Sequence, residues 1–166
     1  GTFYTTSTTA TEDSEAKRFV FNADNRVPRS MRVFETTASW TYTTAAFRSA
    51  NNSTANRLQF VIGLSEESVA ARVAVPFIVN STGGTNTSVG VGVDSTSTVS
   101  GSSLGNNFIV NATYEGPMTA AYVGYPGVGF HFLQWLEYSD AQGATTWYVY
   151  NAGRARQAGI IGTVFA

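Results

Sequence analysis

Residues 69–79 read VAARVAVPFIV, and every second residue from Val69 to Val79 is apolar. A repeat of two residues places alternate side chains on opposite faces of an extended chain. The stretch therefore predicts a β-strand with one face buried. Pro76 interrupts the run, and proline cannot donate a backbone hydrogen bond to a strand ladder. We therefore expect an edge position or a bulge at Pro76.

The same alternation recurs along most of the chain after Arg32. It predicts further strands within residues 39–43, 58–64, 89–93, 108–114, 120–125, 128–138, 145–150 and 160–165. The connections 50–56, 80–86, 94–107 and 139–144 are rich in Gly, Ser and Asn, which is typical of turns. Eight or nine strands with such connections predict an all-β fold, an antiparallel two-sheet sandwich with a jelly-roll order of strands.

Helix signals are weak, and the segment 65–72 (SEESVAAR) is the best of them. Ser65 would cap a single helical turn with two glutamates in its first turn. We favour a loop that enters the next strand.

The N-terminal segment differs from the rest of the chain. Residues 1–11 are rich in Thr and Ser, and residues 12–18 hold a large share of the charge. Its aromatic residues need a covering surface, and they are Phe3, Tyr4, Phe19 and Phe21. We predict an arm over residues 1–29, docked on a neighbour or along its own sandwich, and a β-sandwich domain over residues 30–166. A frayed tail is the alternative.

Composition limits the possible partners. Charged residues are 13% of the 166 residues, and the net charge is -1. No basic field is available for a phosphate backbone, so we expect no nucleic-acid partner. No apolar run approaches the roughly 18–20 residues of a membrane span, so we expect no membrane insertion. The chain has no cysteine, which leaves stability to packing, including packing between subunits.

Residues suited to catalysis are few. His131 is the single histidine, and it lies between Phe130 and Phe132. Without a second histidine or a cysteine, a metal site would need carboxylate or carbonyl ligands, so we favour a structural role for His131. Glu137 and Asp140 flank a hairpin, but nothing singles them out as a catalytic pair. We therefore predict no catalytic residue, no metal, no cofactor and no enzyme activity.

Aromatic residues concentrate in the C-terminal half and occupy both faces of the strand within 145–150. One face can fill the core, and the other must meet a subunit, a sugar or water. The aromatic residues that we predict could contact a ligand are Tyr122, Tyr125, Trp147, Tyr148 and Tyr150.

Two C-terminal segments, 125–138 (YPGVGFHFLQWLEY) and 159–166 (GIIGTVFA), resemble jelly-roll heads of the C1q/tumour-necrosis-factor type. In those heads a Pro-Gly pair enters a long aromatic strand near the end of the domain, and the last strand follows a glycine. Segments 39–69 and 143–153 resemble virion proteins of tailed bacteriophages, namely tail-fibre, spike or decoration domains, many of them trimeric.

The resemblance implies a non-enzymatic structural component of a phage virion. Its partners would be copies of itself and other virion proteins. It would be made in the host bacterial cytoplasm and be extracellular in the mature particle. The chain starts at Gly1, which fits an excised fragment or removal of an initiator methionine. The alternative is a carbohydrate-binding or receptor-binding adhesin module, with a host-surface glycan or protein as partner.

Self-association as a trimer is the last prediction from the sequence. The strands within 128–138 and 160–165 are apolar on both faces, and exposing Leu133 and Trp135 would cost several kcal/mol at roughly 25 cal/mol per Å². In the heads that the chain resembles, these two strands line the three-fold axis. The predicted oligomer interface consists of His131, Leu133, Trp135, Ile161 and Phe165.

Overall fold

The computed structural model describes residues 1–80, 85–110 and 114–166, and nearly all of their regular structure is extended. In chain order the strands are β1 (Thr2–Phe3), β2 (Thr5–Ser7), β3 (Ala10–Thr11), β4 (Lys17–Arg18), β5 (Val20–Phe21), β6 (Pro28–Phe34), β7 (Ser39–Tyr42), β8 (Ala46–Ser49), β9 (Arg57–Ile62), β10 (Val69–Asn80), β11 (Thr85–Val93), β12 (Ser103–Gly105), β13 (Asn107–Val110), β14 (Tyr114–Gly124), β15 (Gly129–Ser139), β16 (Thr145–Tyr148), β17 (Tyr150–Asn151), β18 (Arg156–Gln157) and β19 (Gly159–Phe165).

Helical structure in the described residues is limited to two 3₁₀ turns, Ala50–Asn52 and Ala152–Arg154. Residues 65–68 form a loop that enters β10, so the favoured prediction of a loop is confirmed. In the part of the chain that the structure describes, no helix has the length and apolar character needed to cross a bilayer.

Two sheets form the body of the molecule. The five-stranded sheet has the order β13–β11–β15–β9–β4. The seven-stranded sheet has the order β12–β14–β10–β16–β7, and β19 joins it between β10 and β6. The pairings within these two sheets are antiparallel except for β4 with β9, which is parallel. The predicted all-β, two-sheet sandwich is confirmed, whereas the jelly-roll order of strands stays a prediction.

The long strand β10 behaves as its alternation predicts. Val69, Val73 and Val75 are at most 1% exposed, and they face the core. The register with β14 shifts between Val75 and Ile78, so Pro76 lies at a bulge. The bulge is in an interior strand of the sheet, where it accommodates the missing N–H group of proline. Of the predicted loops and strands, residues 81–84 and 111–113 lie outside the described residues.

The three tryptophans of the chain meet in the core. The Trp40 ring lies 5.9 Å from that of Trp135 and 6.5 Å from that of Trp147, measured between ring centroids. Trp135 belongs to the five-stranded sheet, and the other two belong to the seven-stranded sheet. Because aromatic side chains bury a large apolar area, this cluster joins the two layers.

The face of β15 that points away from the seven-stranded sheet is covered by segments of the same chain. Tyr4 stacks on Phe130 at 4.6 Å, and the Arg57 guanidinium lies over the Phe132 ring at 4.8 Å. The Phe47 ring contacts that of Tyr138 at 5.0 Å. The same face of β15 also carries a completely buried leucine, Leu136.

The N-terminal segment packs against this same side of the sandwich. β4 extends the five-stranded sheet, and β1 pairs with β5. Phe19 and Phe21 are 2% and 1% exposed and form a second apolar cluster with Val61 and Ala166. A Cβ atom at Gly63 would overlap the Phe21 ring, so the glycine makes room for that side chain.

We expect Phe21→Ala to reduce the free energy of unfolding by about 3–5 kcal/mol, because it leaves a cavity in a closed cluster. Phe3→Ala is the matched control, since Phe3 is on the same segment and is 65% exposed. It should change the free energy of unfolding by no more than about 0.5 kcal/mol. Urea unfolding followed by circular dichroism measures both. Equal stabilities of the two variants would contradict this role of the N-terminal segment.

Candidate functional site

The outward side of the seven-stranded sheet carries small side chains between larger apolar ones. On β10, Ala70 and Arg72 point away from the core, because their neighbours Val69, Ala71 and Val73 are buried. Short side chains at the centre of a sheet leave a flat surface that another molecule can approach closely.

Strand register aligns these side chains in rows across the sheet. Arg72 lies between Ala121 on β14 and Ile161 on β19, and Leu104 and Arg32 extend this row at its two ends. The neighbouring row consists of Val123, Ala70, Thr163 and Ser30. We call these two rows the outer face.

The outer face is open to solvent, and large apolar side chains lie on both sides of Arg72 in it. Leu104, Val123 and Ile161 are 77%, 64% and 45% exposed. The small residues between them leave a shallow groove of about 510 Å³ across β6, β19, β10 and β14. At one end of the groove Glu15 forms an ion pair with Arg32 at 2.5 Å. Contiguous exposed apolar area of this kind is typical of interaction sites on soluble proteins.

Of the five residues predicted for an oligomer interface, two are on the surface. Ile161 belongs to the outer face, and Phe165 lies on the same side of β19 and is 40% exposed. Their part in an interface stays a prediction.

The other three predicted interface residues are on the inner side of β15. Leu133 and Trp135 are fully buried, and the side chain of His131 is only 12% exposed. Placing these residues on an outward face was wrong, because their side of β15 packs against the seven-stranded sheet. Both faces of the strand are apolar, so the alternation alone did not indicate which one was inside.

The five aromatic residues predicted for ligand contact do not form one platform. Tyr122 and Trp147 are core residues, 4% and 0% exposed, so predicting them as ligand contacts was wrong. Their positions in β14 and β16 alternate into the space between the sheets. Tyr125 is 69% exposed in the connection to β15, and Tyr148 and Tyr150 are half-buried. A ligand role for these three stays a prediction.

His131 holds a loop in place. Its Nδ1 atom lies 2.8 Å from the Asp94 Oδ2 atom, and the Phe132 N–H group donates to Asp94 Oδ1 at 2.9 Å. Asp94 adopts a left-handed conformation at the end of β11, with φ of 51°. Burial of Tyr122, together with the nearby Asp94 carboxylate, raises the pKa of the tyrosine hydroxyl. Among residues 1–80, 85–110 and 114–166, no three acidic or histidine side chains form a group that could hold a metal ion.

Glu137 is the centre of a buried polar network that the sequence did not reveal. Its carboxylate accepts hydrogen bonds from Trp40 Nε1 at 2.6 Å, from Arg48 Nε at 2.8 Å and from the Asn51 N–H group at 3.2 Å. The side chain is completely buried. Burial raises the pKa of Glu137 to about 7, although these donors act in the opposite direction. Asp140, its predicted hairpin neighbour, bonds instead to the Asn86 and Gln142 N–H groups.

A second carboxylate belongs to the same network. Asn51 Nδ2 donates to Glu35 at 3.2 Å, and Asn56 Nδ2 donates to it at 2.7 Å. Burial of Glu35 raises its pKa, but the hydrogen bonds from Asn56, Thr37 and Asn51 outweigh burial and hold the pKa below its usual value. Glu137 on β15 attaches the segment 35–56 to the five-stranded sheet, whereas the Glu35 carboxylate bonds to residues within that segment. The lone pairs of both carboxylates are occupied by protein donors.

Comparison of the chain with models of known protein families found no match. Comparison with curated proteins likewise found none. A function for this chain is therefore inferred from its surfaces and from the sequence resemblance.

We expect Glu137 to make stability depend on pH. Because its pKa in the folded state is about 7 and the ordinary value is 4.5, the folded protein binds this proton more tightly than the unfolded chain does. The resulting stabilisation is complete below pH 4.5 and is lost as the pH rises through 7. Between these limits the free energy of unfolding should fall by about 3 kcal/mol.

Urea unfolding from pH 4 to pH 8, followed by tryptophan fluorescence, checks this expectation. Glu137→Gln should remove that part of the pH dependence. Glu66→Gln, at an exposed position, should leave it intact. If the free energies of wild type and Glu137→Gln ran parallel over this range, the raised pKa would be contradicted.

Proposed function

We propose that this chain is a non-enzymatic structural component of a phage virion, such as a decoration, spike or fibre-head domain. It acts through self-assembly and surface presentation. The observation that carries the proposal is the outer face, whose large apolar side chains are exposed in the isolated chain. The resemblance of segments 39–69 and 143–153 to phage virion proteins supports the same role.

Self-assembly would cover the outer face. Specific interfaces bury about 800 Å² on each partner. One row of the outer face crosses five strands and the other crosses four, and their charged residues are Arg72 and Arg32. Burial of Leu104, Val123 and Ile161 would contribute about 25 cal/mol per Å² of apolar area. In a cyclic trimer the outer face of one copy would contact a different patch of the next copy, and such a head-to-tail contact forms a ring when its rotation closes. Ile161 and Phe165 are the predicted interface residues that remain in this proposal.

Surface presentation is supported by an uncharged, exposed hairpin near the start of the N-terminal segment. β2 and β3 form a hairpin of exposed Thr, Ser and Ala residues. Hydroxyl side chains keep an exposed strand soluble without charge, which suits the outside of a particle. Other virion proteins are the further partners that we propose.

A carbohydrate-binding or receptor-binding adhesin is the second candidate. Tyr125 and Val128 are 69% and 61% exposed in the connection between β14 and β15. Exposed aromatic rings at the end of a sandwich can stack on sugars. In this role a host-surface glycan or protein would be the partner.

We expect the wild-type chain to self-associate at micromolar concentration and Val123→Glu to shift it towards monomer. The contact would take the new carboxylate out of water, and the cost of this desolvation can exceed what an ion pair with the neighbouring Arg72 returns. Val128→Glu is the matched control, because Val128 is equally apolar, similarly exposed at 61% and outside the outer face. Sedimentation velocity measures the mass, and circular dichroism verifies that each variant is folded.

Two results would contradict the proposal. One is a monomeric wild type at these concentrations, which would leave the adhesin as the better candidate. The other is a Val123→Glu variant that assembles as well as wild type, which would exclude the outer face as the contact.

A further inference from the structure

The hairpin of β17 and β18 holds two arginines close together. Its turn is a 3₁₀ helix, Ala152–Arg154, and the Asn151 side chain accepts a hydrogen bond from the Arg154 N–H group at 3.1 Å. Ala155 follows in a left-handed conformation with φ of 50°, and Arg156 begins β18. The turn therefore fixes the backbone from which both arginine side chains extend.

Arg156 is fixed by an aromatic ring. Its guanidinium lies over the Tyr148 ring at 5.4 Å from the ring centroid. Its Nε atom is buried and has no hydrogen-bond partner among the described residues. The attraction between the guanidinium and the ring restricts the positions that the Arg156 side chain can take.

Both arginines line the same pocket. Together with Pro76 and Ala155 they line an open pocket of about 340 Å³ beside the bulge of β10. Neither arginine forms an ion pair with any side chain that the structure describes, whereas five other arginines do. Two positive charges that share a pocket without a counter-charge favour the binding of an anion.

We propose that this pocket binds a saccharide that carries a carboxylate. A guanidinium offers two parallel N–H donors that match the two oxygens of a carboxylate. Pro76 and Ala155 supply apolar walls, against which the face of a sugar ring can pack. The volume is at the lower end of the roughly 300–1,000 Å³ of ligand pockets, which suits one or two sugar rings. This site is independent of self-assembly through the outer face.

Isothermal titration of the full chain at constant ionic strength tests the ligand class. Glucuronate, glucose and glucose 6-phosphate are the probes, because the three differ only in the group at carbon 6. We expect glucuronate to bind at least about tenfold more tightly than glucose, which lacks the charge-assisted hydrogen bonds. Equal binding of glucose, no binding of glucuronate, or tighter binding of glucose 6-phosphate would each overturn the assignment.

Variants test the position of the site. Arg154→Gln and Arg156→Gln should each weaken glucuronate binding by about tenfold or more. Arg156→Lys should also weaken it, because lysine keeps the charge but loses the paired donors. Arg154 is exposed, so its replacement tests the site even if Arg156→Gln affects folding.

Arg57→Gln is the matched control. Arg57 also stacks on an aromatic ring, that of Phe132, but lies on the five-stranded sheet. Its replacement should leave glucuronate binding unchanged. The proposal is overturned if Arg154→Gln and Arg156→Gln bind as wild type does, or if Arg57→Gln weakens binding as much as they do.

Discussion

Strand β15 has two apolar faces, and much of the structure serves to cover both. Leu133 and Trp135 face the seven-stranded sheet, whereas Phe130 and Leu136 face the other way. The N-terminal segment covers Phe130 through Tyr4 and Phe19, and the segment 95–98 approaches Leu136 beside Gly92. Because exposed apolar area costs free energy in water, a chain without disulfides gains stability by folding its own segments over this strand.

Because segments of the same chain cover β15, this strand does not offer a surface for binding a partner. The second face of β15 is occupied by the same chain, whereas the outer face on the opposite sheet keeps exposed apolar side chains. Small residues such as Ala70 and Ala121 keep that face flat, and Val123 and Ile161 supply apolar area at its centre.

The bulge at Pro76 divides β10 into two halves that pair with different strands. Before it, residues 70–74 pair with β19 and contribute to the outer face. After it, residues 77–80 pair with β16, whose Tyr148 supports Arg156. One strand thus positions both a surface suited to self-association and a pocket suited to an anion. The two proposed sites lie on different halves of the strand.

Local alternation determined the class of fold and the positions of most strands. The residue type of Pro76 indicated an irregularity there, because proline lacks the N–H group that a strand ladder needs. Alternation did not determine that Trp135 faces inward while Phe130 is covered by Tyr4. For the strand of Ile161 and Phe165 it indicated that both faces are apolar, but not which face is exposed to solvent. Nor did it bring Arg156 to Tyr148, or Glu137 to Trp40, which is 97 residues away. A period of two fixes only that neighbouring side chains point in opposite directions. Which direction is buried depends on the distant segments that pack there, and only the tertiary structure decides that.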